Sequence, residues 1–152
     1  MRKKHRQKGI ILAIFIMAVL FFLFNLITLS PSKQAESLVS KFYSFEQDGN
    51  YSESWKLLHP FIKEKFPKAA FIQDRAHVFN GHFGAETFAY EIEDATEVKG
   101  WKPAKGEKSY KKAYKFIVKQ RYSGKYGKFH FSQEVYVVNY KKELVILWDY
   151  NH

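Results

Sequence analysis

From Gly9 to Leu29 the chain runs for twenty-one positions without a charge (GIILAIFIMAVLFFLFNLITL); beyond it, apolar positions recur first with a helical and then with a strand period. At about 1.5 Å per helical residue the uncharged run reaches roughly 31 Å, close to the ~30 Å hydrocarbon core of a bilayer. It predicts one membrane-spanning helix, with residues 1–8 as a cytoplasmic tail and residues 30–152 as an extracytoplasmic domain. A cleaved secretory signal is the competing reading, but its apolar middle usually runs only about 7–15 residues. The nearest small-x-small site, Thr28-Leu29-Ser30, is also followed by Pro31. An uncleaved anchor is therefore expected.

The next apolar positions, Ala35, Leu38, Val39, Phe42 and Phe45, are spaced for one face of a helix over about 31–47, with Pro31 at its first turn. Asp48-Gly49-Asn50 should stop it. Ser52 is expected to cap a short helix bearing Trp55, Leu57 and Leu58. Pro60 should open another turn with Phe61, Ile62 and Phe66. Pro67 should begin a last helical stretch carrying Ala70 and Phe71, with Val78 and Phe79 as further members, ended by Asn80-Gly81. The period then changes. Phe88, Tyr90 and Ile92 alternate within a strand predicted over Thr87–Val98. Tyr114, Phe116, Val118 and Tyr122 share one face of a strand over Lys111–Ser123, and Lys115, Lys119 and Arg121 share the other. Ser123–Lys128 reads as a hairpin turn, and strands over Phe129–Tyr140 and Glu143–Tyr150 should be joined tightly at Lys141-Lys142. Helices followed by hairpin-linked strands predict an α+β domain, its helices packed on one face of an antiparallel sheet.

Charge changes the picture in two ways. Five Lys/Arg (Arg2, Lys3, Lys4, Arg6, Lys8) precede the span, and only Lys33 and Lys41 fall within the fifteen residues after it, so the N-terminus is expected in the cytoplasm and the domain outside. The 20 remaining Lys/Arg face all 15 Asp/Glu, so the domain carries about +5 of the chain's +10. Half of the basicity is thus a topology signal rather than a nucleic-acid signal. Asn25, inside the span, is a candidate for a helix–helix contact or for reaching the headgroups. With no cysteine the domain has no disulfide, and its core alone must hold it together. This suits a bacterial envelope protein.

The order of AESLVSKFYSFEQDG, YSESWKLLHP, FIKEKFPKAAF and a set of long strands resembles the nuclear transport factor 2-like superfamily. That resemblance implies a strongly curved antiparallel sheet wrapped around helices to form a cone, and a tendency to self-associate. The ending LVILWDY is similar to the last strand of the version found in the N-terminal, non-catalytic domain of membrane-anchored penicillin-binding transpeptidases. No serine-acylating domain follows Tyr150 in this sequence, so that activity is not expected. The layout of short tail, single span and one external domain is similar to the single-pass scaffold proteins of type IV secretion and conjugation systems.

Enzymes of this superfamily, ketosteroid isomerase among them, place an acid and a base in the cone, and that isomerase is itself a standard example of pKa tuning. Asp94, Asp149, His130, His77 and Tyr90 are the residues such chemistry would use. Asp94 shares the parity of Phe88, Tyr90 and Ile92, whereas Asp149 lies opposite the Leu144/Ile146/Trp148/Tyr150 face. No spacing pairs any two of them, and no catalytic residue is assigned. The six histidines form neither an i,i+4 nor an H-x-H pair, so neither a metal site nor a cofactor is expected. Trp55, Tyr90, Asp94, Tyr114, Phe116 and Trp148 are candidates to line the interior, for packing or for a small ligand. Trp101, set among Lys99, Lys102 and Lys105, and the stripe Lys115/Lys119/Arg121 are candidates for partner contact. The expectation is a non-enzymatic domain that docks a protein partner in an envelope, secretion or conjugation assembly or at the cell wall. A ligand-binding or enzymatic cone is the alternative. Partners are then the membrane, a protein or a second copy, and an anionic wall polymer; nucleic acid is not expected.

Overall fold

The computed structural model describes residues 14–19, 30–82, 84–85 and 87–151. The chain divides into two units, Met1–Pro31 and Ser32–His152. In the first, residues 14–19 are helical and exposed. Among the described residues no helix is long and apolar enough to cross a membrane. The basic tail, Asn25 and most of the expected span Gly9–Leu29 lie outside the described residues.

The second unit is α+β. Helices α1 (Pro31–Gln47), α2 (Tyr51–Lys56), α3 (Pro60–Lys65) and α4 (Lys68–Ala76) come first, and a π-helical turn (His77–His82) extends α4. Strands β1 (Phe88–Ile92), β2 (Thr96–Val98), β3 (Ala113–Gly124), β4 (Gly127–Tyr140) and β5 (Glu143–Leu147) follow. They form one antiparallel sheet in the order β1-β3-β4-β5, with β2 also paired to β3.

Helix α1 ends where the sequence asks it to. Gly49 takes φ +69°, the Asn50 amide donates to Phe45 O at 2.7 Å, and the Gly49 amide donates to Glu46 O at 3.2 Å. That is a left-handed glycine cap closing the last carbonyls. The buried face of α1 is Ala35, Val39, Phe42, Tyr43 and Glu46, so the stripe is rotated from the expected one: Leu38 and Phe45 flank it and a glutamate lies within it. Helix α2 begins at Tyr51 with Asn50 at its N-cap, which places Ser52 inside the helix rather than capping it. Pro60 opens α3 as expected, and the His59 ring caps it by accepting the Phe61 amide. Pro67 is the N-cap of α4.

Three strand expectations shift. The run Thr87–Val98 is broken by Glu93-Asp94-Ala95 into β1 and β2, the β3–β4 turn shrinks from Ser123–Lys128 to Lys125-Tyr126, and the terminal strand stops at Leu147 rather than Tyr150. Lys141 and Lys142 do make the tight turn, at φ +50° and +74°. Alternation along β3 buries Tyr114, Phe116, Val118, Gln120 and Tyr122, so the face that carries Phe116 is the one under the helices. In β4 four consecutive residues, Val135–Val138, are buried, because both faces of the sheet are covered there. On the second face Trp101 stacks on Tyr136 at 4.1 Å between centroids and 7° between planes. The helical half is tied to the outer edge of β5 by His59 N to Ile146 O (2.9 Å) and Ile146 N to Leu57 O (3.0 Å).

Candidate functional site

The buried face of α1 delivers Glu46 to the helix's last turn, where the carbonyl end of the helix dipole disfavours a negative charge. Two residues from other helices compensate. Arg75, in the last turn of α4, places Nε 3.0 Å from Glu46 Oε2, and Ser54 of α2, fully buried, donates its hydroxyl to Glu46 Oε1. The Glu46 side chain is only 4% exposed and that of Arg75 20%, so this is an interior ion pair rather than a surface one. Burial raises the Glu46 carboxyl above its ordinary range, and Arg75 and then Ser54 oppose that rise. Tyrosines complete the surroundings. The Tyr43 hydroxyl donates to Gln133 Oε1 (2.9 Å), and that of Tyr122 donates to Gln120 Oε1 (2.7 Å). Burial raises both phenols, so both stay protonated.

Arg75 connects this cluster to a cleft of about 450 Å³. Phe66, Phe71, Val78, Trp148 and Tyr150 give it apolar walls, and Asp74, Arg75, Gln133 and Asp149 supply its polar groups. The Arg75 guanidinium lies 5.3 Å from the Phe71 ring centroid and 5.9 Å from that of Trp148. Cation–π contact thus orients it in addition to the ion pair. The Trp148 indole N–H is buried and has no hydrogen-bond partner among the described residues. A buried donor left unpaired costs about 1–3 kcal/mol. The cleft exists because β5 ends at Leu147, so Trp148, Asp149 and Tyr150 leave the sheet.

A larger cleft, about 660 Å³, lies between the start of β1 and the β3–β4 hairpin, with Arg121, Lys128 and His130 among its lining residues. Arg121 there is paired with Glu91 at 3.3 Å. The smaller cleft, which Arg75 joins to the buried Glu46, is the better candidate for recognition.

Of the residues expected to line the interior, only Trp148 faces this smaller cleft. Tyr114 and Phe116 are core, at 8% and 0% exposure. Trp55 is half-buried and donates to Phe66 O at 2.9 Å, anchoring α2 to the end of α3. Tyr90 donates to Ser40 O at 3.1 Å, tying β1 to α1. Asp94 falls in the break between β1 and β2 and is exposed, because the strand ends before it. Trp101, expected as a partner contact, is buried at 8% exposure; it stacks on Tyr136 and donates to Asp149 Oδ2 at 3.3 Å. The basic stripe faces outward as expected, but each member has a carboxylate: Lys115 with Glu134, Lys119 with Glu93 (2.6 Å) and Arg121 with Glu91 (3.3 Å). Cross-strand glutamates cancel the charge that a linear reading of β3 leaves standing.

His77 and His82, set apart by sequence spacing, are brought together by the wide π turn, with ring centroids 4.5 Å apart. Among the described residues no group of three or more His, Cys, Asp or Glu side chains could hold a metal ion.

Sequence reasoning missed Glu46, Ser54, Arg75 and Gln133, and it read Phe71 only as an apolar helix position. Glu46 was within reach: it follows Val39, Phe42 and Tyr43 on their own helical stripe, and a glutamate there has to find a cation. Compared with protein-family models and with curated proteins, the chain matches none.

Proposed function

We propose that this chain is a membrane-anchored envelope protein, spanning once through Gly9–Leu29, whose external domain is a binding module that acts without catalysis. It docks a protein partner in an envelope, secretion or conjugation assembly or at the cell wall. The nuclear transport factor 2-like cone remains part of this proposal, and the helices packed on an antiparallel sheet are compatible with it. The observation that carries the binding reading is the aromatic cleft beside Arg75. Apolar walls with a few convergent polar groups are the usual form of a recognition site. A non-catalytic role is supported by Glu46, the buried carboxylate that Arg75 links to the cleft, whose two oxygens are engaged by Arg75 and Ser54.

A second reading, a small-ligand or catalytic pocket, is favoured by the same cleft, whose aromatic walls and polar groups suit a ligand pairing an apolar or sugar-ring face with polar atoms. Crosslinking in intact cells, followed by detergent extraction and identification of what is recovered, separates the two. One or a few discrete partners, lost with Trp148→Ala and retained with Lys119→Ala, support docking through the cleft. Recovery of the same partners from both variants removes the cleft from the proposal. For topology, the chain has no cysteine, so Tyr126→Cys at a position 81% exposed provides a single label site. Labelling of intact cells by an impermeant maleimide is expected, and labelling only after lysis would refute the external placement.

A further inference from the structure

Strand β4 is longer than β5, which pairs only with Tyr136–Tyr140; the stretch Gly127–Val135 is bonded to β3 on one side and, among the described residues, borders no strand on the other. The hairpin turn tells which groups that side presents. Gly124 and Gly127 close a two-residue turn, so they form a hydrogen-bonded pair, and bonding then alternates along the ladder. Phe129, Phe131, Gln133 and Val135 direct their backbone groups to β3. Lys128, His130, Ser132 and Glu134 direct theirs outward. The same parity continues into Tyr136, Val138 and Tyr140, the positions that bond to β5. Among the described residues, no backbone hydrogen bond beyond those of the β3–β4 ladder reaches Lys128, His130, Ser132 or Glu134, and all four are exposed.

An open edge of this length is a template for another strand, and most edges are blunted by like charges or proline. Here the charges are of opposite sign and in mirror order, Lys128 at one end and Glu134, which Lys115 and Tyr136 of its own chain already engage, at the other. We infer that the occupant is the same edge of a second copy, paired antiparallel about Phe131 so that Lys128 of each chain lies opposite Glu134 of the other. This two-fold register is the one that uses every outward-facing position: Lys128 pairs with Glu134 and His130 with Ser132, twice each. With two bonds per pair it makes about eight hydrogen bonds. Registers centred on His130 or Ser132 use fewer positions and leave neither Lys128 nor Glu134 opposite its counterpart. The two Phe131 side chains then meet across a non-hydrogen-bonded pair, where side chains approach most closely. Phe131 stacks on Tyr122 of β3 at 5.5 Å and 9° and keeps 36% of its surface exposed, which leaves part of the ring open to that contact. The inference is independent of the cleft, and either can fail alone.

The test uses the full-length chain in detergent, with sedimentation measuring association. A concentration-dependent dimer is expected. Lys128→Glu alone and Glu134→Lys alone should each weaken it on the order of tenfold, from two cross-strand pairs turned repulsive, and the double swap should restore it. Single cysteines add a register test: Phe131→Cys should crosslink between chains far better than Tyr126→Cys at the hairpin tip. A chain that stays monomeric, a dimer indifferent to the single swaps, or a double swap as weak as either single change overturns the inference. Should Phe131→Cys disturb the fold, the charge swaps at exposed positions still decide.

Discussion

Arg75→Ala tests the interior ion pair most directly. The substitution leaves Glu46 with Ser54 alone, its side chain 4% exposed and its nearest cation gone. Removing one partner of a buried pair costs about 3–5 kcal/mol, because the other charge is left uncompensated. Arg75 keeps a fifth of its side chain in solvent, which puts the loss near the lower end, about 3 kcal/mol. In a domain of this size that corresponds to a fall in Tm of roughly 10–15 °C, read by tryptophan fluorescence of the full-length chain in mild detergent. The pH dependence carries a sharper signature. Burial raises the folded-state pKa of Glu46, so between its ordinary value and the raised one the native state binds more proton than the unfolded chain. Stability therefore falls as pH rises through that window and returns on acidification. Without Arg75 the rise is no longer opposed and the window widens upward. The deficit of Arg75→Ala relative to wild type should be greatest at neutral pH and shrink as pH approaches about 4.5, near the ordinary glutamate value. Adding Glu46→Gln should recover part of the loss and flatten the profile. A deficit below about 1 kcal/mol, the scale of a surface pair, or one constant with pH would refute a buried, charged Glu46.

Other outcomes follow from the same contacts. Trp101→Ala removes a ring stacked on Tyr136 and should cost about 3–5 kcal/mol in thermal or denaturant unfolding, whereas Trp101→Phe keeps the stack and should cost markedly less; equal losses would contradict the stacking. His59 accepts the Phe61 amide at Nδ1 (3.0 Å), so its proton sits on Nε2, directed to the Tyr110 hydroxyl at 2.7 Å. Burial, with Lys63 nearby, lowers its pKa, so this contribution to stability is present above the ordinary histidine value and is lost as pH falls below it; His59→Asn, which keeps an acceptor for Phe61, should abolish that acid-side loss in a pH series of melts. Its sign is opposite to that of Glu46, so each profile is read as a difference from wild type. Lys141→Asn with Lys142→Gly relieves two left-handed non-glycine residues and should raise stability by about 1–2 kcal/mol, and an unchanged Tm would show that the turn is unstrained.

Much of the element order was legible because it rests on local chemistry. Pro31, Pro60 and Pro67 mark helix starts, Gly49 ends α1, and the alternation of Tyr114, Phe116 and Val118 declares which face of β3 is buried. The alternation in Thr87–Val98 misled, since Asp94 and Ala95 keep the spacing of a strand while the chain, after a last bond from the Glu93 amide to Ile117 O, leaves the ladder. Trp101 misled for another reason. Its neighbours in sequence are lysines, but its neighbours in space are Tyr136 and Asp149, and no periodicity in a loop reports a stacking partner thirty-five positions away.

The sequence by itself determined that a long uncharged run precedes an α+β domain, that hairpins order its strands, and that lysines and arginine line one face of β3. Those features are set by interactions between residues a few positions apart. Only the tertiary structure decided that glutamates from neighbouring strands neutralise that face, that Glu46 and Arg75 meet in the interior, and that the early end of β5 opens a cleft beside Trp148 and leaves an edge along β4. Each depends on packing between elements far apart in the chain, where which side chains meet is fixed by burial and register rather than by spacing.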